Sequence, residues 1–260
     1  MFLLNVEATK VGAEFLINDV PVLLLKEQPA NADAAFVSVR ITGGKNVLRC
    51  VVRPGTSPAQ SLVPFQSDLP VGKIAATILR LPPNFKAGPP AGQTVAQIAW
   101  PAPEDVTSGR WPVIKEVSFD APAPAFNATW RRADPLILDR ETVASALDWL
   151  NQLRGWFEAG NADAVIAAAS DSLRDEAIAY GKDPASHVSS FAQMVRGQGK
   201  VLDLAPIDAA ALQLRLFGDG RLIDCRRADW SPAIRTLPQA KEPFDYPTLI
   251  GRVDGHWKLL

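Results

Sequence analysis

The sequence predicts an α+β chain in two parts, an antiparallel β-sandwich followed by a domain of helices and antiparallel strands. Three observations predict it. From residue 2 to about 119 apolar side chains recur with a period of two and Gly/Pro turns punctuate them. From Asp139 to Tyr180 the spacing changes to three and four. After Leu212 it returns to two and the chain closes on a hairpin, LIGRV-DG-HWKLL.

In the first part Phe2, Leu4 and Val6 alternate with Leu3, Asn5 and Glu7, and Ala13, Phe15 and Ile17 with Glu14, Leu16 and Asn18. Further strands are expected over 20–25, 36–41, 46–52, 74–81, 95–100 and 113–119. Asn18-Asp19, Gly43-Gly44, Pro54-Gly55, Pro70-Val71-Gly72 and Pro89-Pro90 mark turns between them. Many short strands without a helical pattern read as a sandwich or barrel. Two fragments, Ile17-Asn18-Asp19-Val20 and Gly44-Lys45-Asn46-Val47-Leu48, resemble a pattern of galactose-binding-like jelly rolls, with Asp19 in place of the usual Gly. The resemblance implies a sandwich and carries over no ligand contact. Trp100 and Trp111 flank a Pro-rich loop. Exposed, they would form a carbohydrate-stacking platform; the expectation is that they fill the sandwich core or the domain interface.

Residues 121–135 are rich in Ala and Pro, the prolines favouring extended chain, and are expected to link a sandwich (1–120) to a second domain (136–260). Phe126 and Trp130 imply that this linker docks on a domain. The second domain opens with a helix capped by Asp139 or Thr142. Val143, Leu147, Leu150 and either Leu153 or Arg154 share one face, and Trp149, Trp156 and Phe157 widen it. Gly160 ends this helix. Asn161 or Asp163 starts the next, which carries Val165, Ile166, Ala169, Leu173, Ala177 and Tyr180 and stops at Gly181. A brief helix is expected around 188–195. Leu212–Phe217 and Leu222–Arg226 form a hairpin about Gly218-Asp219-Gly220. Asp254-Gly255 supplies a type I′ turn, which sets Val253 opposite His256, Arg252 opposite Trp257 and Ile250 opposite Leu259. A cation–π pair of Arg252 with Trp257 follows.

The Asp254-Gly255-His256-Trp257 hairpin and the Gly160-Asn161-Ala162-Asp163-Ala164 junction resemble the nuclear-transport-factor-like, or cystatin-like, cone over residues 137–260. The resemblance implies a curved antiparallel sheet wrapped on helices. It leaves function open, because such cones serve as enzymes, binders and association modules.

The charge balance, 27 basic against 28 acidic residues, argues against broad binding to nucleic acid or an anionic membrane. No apolar run is long enough to span a bilayer and no signal peptide is visible, so the cytoplasm is the expected compartment. Cys50 and Cys225 read as small buried hydrophobes. With two histidines and two separated cysteines, no metal site or cofactor is expected, and no nucleotide-binding or nucleophile-elbow motif occurs.

The cone enzymes place an acid or base inside the cavity, and the candidates here are Asp224, His256 and Tyr180, with Asp203, Asp208 and Tyr246 behind them. Asp224 stands out between Ile223 and Cys225, where burial would raise its pKa. Strand parity favours the opposite. Ile223 and Cys225 form the core pair, Asp224 and Arg226 a solvent-facing ion pair, Leu222 an exposed apolar residue, and His187 an exposed loop residue. The expected function is therefore non-enzymatic interaction or assembly, through a protein partner or self-association. A small ligand or substrate in the cone is the alternative, and carbohydrate recognition by the sandwich the second.

Overall fold

The computed structural model describes residues 1–53, 65–66, 72–82, 92–102, 110–124, 126–198 and 202–260, with backbone alone for 65–66 and 110. The turn expectations at Pro54-Gly55, Pro70-Val71 and Pro89-Pro90, and residues 103–109 of the Pro-rich loop, lie outside them. The fold is α+β, and the chain divides into two compact units, residues 1–125 and 126–260.

The first unit holds two four-stranded antiparallel sheets. One has the order β4 (Asn31–Phe36), β1 (Phe2–Thr9), β7 (Lys73–Arg80), β8 (Gln93–Trp100). The other runs β10 (Val113–Ala121), β5 (Gly44–Arg53), β2 (Gly12–Ile17), β3 (Val20–Leu25). A short pair, β6 (Phe65–Gln66) with β9 (Arg110–Trp111), lies outside both. Inward residues of the two sheets, among them Leu4, Val6, Phe15, Ile17, Leu48, Val52, Ile78, Ile98 and Phe119, merge into one core. The edges meet in pairs, β8 beside β10 and β3 beside β4.

The expected strand at 36–41 is corrected. Its strand is the polar segment 31–36, paired with β1 through the backbone, and Ser38–Arg40 forms a 3-10 turn. The apolar spacing that suggested a strand is Val37 and Ile41, both buried by that turn.

Asn18 and Asp19 both have positive φ, 52° and 60°, as a type I′ turn requires. The turn is held by a buried asparagine. Asn46 Oδ1 accepts from Asn18 Nδ2 at 2.7 Å and from the Thr42 amide at 2.8 Å, while Asn46 Nδ2 donates to the carbonyls of Thr42 and Gly44. Arg49 donates to Asp19 and to Glu116. The two fragments singled out in the sequence thus meet in one turn network.

The second unit packs α1 (Arg140–Glu158), α2 (Ala162–Ala179) and α3 (Pro184–Gln198) on the antiparallel sheet β11 (Leu212–Phe217), β12 (Leu222–Arg227), β15 (Leu249–Val253), β16 (His256–Leu259). A two-stranded pair, β13 (Ile234–Arg235) and β14 (Asp245–Tyr246), completes the element list. Asp139 caps α1 by accepting from the Thr142 amide, and Asn161 caps α2 by accepting from that of Ala164. Gly160 and Gly181, at φ 62° and 65°, close them. The buried stripe of α1 is Thr142, Ala146, Leu150, Leu153 and Phe157, with Val143 and Leu147 on its flank. The third helix is longer than expected. Asp183 caps it through the Ser186 amide, and Pro184 opens it, where a missing N–H costs nothing. The terminal hairpin has the expected register, and Arg252 sits 4.6 Å above the Trp257 ring.

Residues 126–135, read as part of a linker, are built into this unit together with Leu136. The Asp134 amide donates to the Arg252 carbonyl and that of Leu136 to Gly220, while the Asp134 carboxylate accepts from the Gly255 amide. Arg221 donates to the Ala133 carbonyl, and Thr129 to the buried carboxylate of Asp175 on α2. Trp130 is buried near Gly218. Gly251 permits a close crossing at the same place, since a Cβ there would lie 2.7 Å from the Arg221 carbonyl oxygen.

Candidate functional site

Strand β12 carries the charged residues of interest. Ile223 and Cys225 face the helices, as parity requires. The other face is not open to water: Leu222 is fully buried and Asp224 is only 2% exposed. Both expectations of a solvent-facing row are thereby overturned. Of residues 126–136, Trp130 lies with Leu222 against Gly218, and Ala133 lies against Gly251.

Antiparallel pairing sets Arg215 of β11 opposite Asp224. Arg215 Nη2 donates to Asp224 Oδ2 at 2.6 Å, and Arg226 Nε reaches both carboxylate oxygens, at 3.0 and 3.2 Å. Arg215 also lies over the Phe217 ring. A carboxyl group that accepts from two guanidiniums, both largely buried, has the geometry of a structural ion cluster. The pairing partner was within reach of the sequence: a four-residue loop 218–221 sets Phe217 against Leu222 and so Arg215 against Asp224.

Next to it, β12 turns sharply at 228–230. Trp230 has φ 71° and is buried, a left-handed conformation that a bulky side chain adopts only when its surroundings hold it there. Arg226 donates to the Trp230 carbonyl. Arg227 Nη2 donates to the carbonyls of Ala205, Pro206 and Ala233, stapling the 203–207 segment to the strand. Burial, reinforced by Arg235, lowers the Arg227 pKa. Burial tends to raise the Asp229 pKa, but hydrogen bonds from Ser231 and the Arg235 charge hold it below the usual carboxylate range.

The other candidates are dispersed. His256 is exposed at the hairpin, opposite Val253. Tyr180 is half-buried at the C-cap of α2. Asp203 and Asp208 are exposed, and Asp208 caps a 3-10 turn through the Ala210 amide. Tyr246 is the exception. Its ring contacts Phe157, Phe191 and Phe244, and burial, with the Glu176 charge added, pushes its hydroxyl well above the ordinary range. Glu176 Oε2 lies 3.4 Å from His187 Nε2, and that imidazole is carried by α3 and mostly covered, not in an exposed loop. Glu176, His187 and Tyr246 come from three elements, and no local spacing announces them.

In the sandwich, Trp100 and Trp111 are buried and meet edge to face at 5.6 Å. They fill the core and present no stacking platform. Among the described residues no group of three or more His, Cys, Asp or Glu is placed to hold a metal ion, and no helix is long and apolar enough to cross a membrane. Comparison with family models, curated proteins and solved structures returned no match.

Proposed function

We propose that this chain is a non-enzymatic interaction or assembly protein whose working part is the second unit. One observation carries the reading: β11 is the last strand of its sheet among the described residues, and its apolar side chains are only partly buried. Leu212, Leu214, Leu216 and Phe217 are apolar, and the strand has neither the Lys nor the Pro that commonly blunts such an edge. The opposite edge strand, β16, has α2 beside it, with Lys258 Nζ donating to the Ala167 carbonyl. Asp224, the leading acid–base candidate, is engaged by two arginines.

A second reading, a small-molecule binder or enzyme in a nuclear-transport-factor-like cone, draws on the convergence of Glu176, His187 and Tyr246. A thermal-shift panel of small metabolites against the full chain separates the two. No compound is expected to raise Tm by more than about 1 °C at millimolar concentration, because a ligand stabilises the folded state by mass action. A compound that raises it by several degrees, with the effect lost in Tyr246→Phe, would replace the assembly reading with the cavity one.

A further inference from the structure

We draw no further inference here: the strongest candidate, the half-buried Trp149–Trp156 pair on α1 beside the open position of Gly155, is an aromatic helix face for which nothing in the structure shows what covers it.

Discussion

Strands β8 and β12 lie in antiparallel sheets of equal size and differ in what covers them. Along β8, Ala96, Ile98 and Trp100 are buried while Gln97 and Ala99 are exposed. Along β12, Leu222, Ile223, Asp224 and Cys225 are buried without a break. Strand geometry is the same in both, since alternate side chains always take opposite faces. The difference lies in the second face. The outer face of β8 is left to solvent, whereas β12 has helices on one side and is buried on the other as well, at Leu222 and Asp224. A sheet wet on one face holds its polar residues outside. A sheet covered on both must take some in and match them, which the second unit does with Arg215, Asp224 and Arg226.

The comparison breaks first at Asp224. Asp224→Ala would leave two arginine charges facing each other out of water, and the expected cost is about 3–5 kcal/mol in urea unfolding of the full chain. A loss under about 1 kcal/mol would mean that water reaches this face and that β12 is no different from β8. The counterpart in the sandwich is Asn46, whose polar atoms are all matched inside a turn. Asn46→Ala strands the Thr42 amide and two carbonyls, and should cost about 2–3 kcal/mol. A much smaller value would show that the first unit tolerates unmatched polar groups better than the second. Trp257 is half-buried, with its indole N–H donating to Ser145 Oγ at 2.9 Å. Trp257→Phe keeps much of the packing and should cost about 1 kcal/mol. A neutral result would locate the worth of this ring in its contact with Arg252.

How far the sequence carried can be traced along these same elements. The terminal hairpin was legible to the residue, because Asp254-Gly255 admits one loop length and one register. The caps of α1 and α2 were legible because each depends on a side chain within three residues of the amide it satisfies. Burial of Leu222 and Asp224 was not, because nothing in β12 itself says that its second face is covered. The run from Phe126 to Leu136 has the composition of a linker, and its placement is fixed by remote partners: Arg252, Gly220, Gly255 and Asp175. The Glu176, His187 and Tyr246 convergence was illegible for the same reason. Trp257 is half-buried, although it shares β16 with the buried Leu259.

The finest test concerns the tie between residues 126–136 and the helices. Asp175 of α2 is buried and accepts from the Thr129 amide. Burial raises its pKa, and Asp171 adds to the rise, against the opposing pull of the Thr129 hydrogen bond and the Arg132 charge. A carboxyl whose folded pKa lies above its unfolded value of about 3.8 holds its proton more tightly when folded. Its contribution to stability is therefore greatest at low pH, declines as pH rises from 3.8 through the folded value, and stays at the lower level above it. Asp175→Asn keeps an oxygen for the Thr129 amide and has no proton to lose. Relative to wild type, the variant should be the more stable at pH 7, and the gap should narrow as pH falls toward 3.8. Urea midpoints of both proteins across pH 3.5–7 read the difference directly, since other titrations cancel between them. If the gap runs the other way, with wild type losing ground to Asp175→Asn on acidification, then the ionised carboxylate is the better partner for Thr129 and Arg132. Residues 126–136 would then be held to α2 by charge, as Asp224 is held to its arginines, and the two covered regions of this unit would share one device.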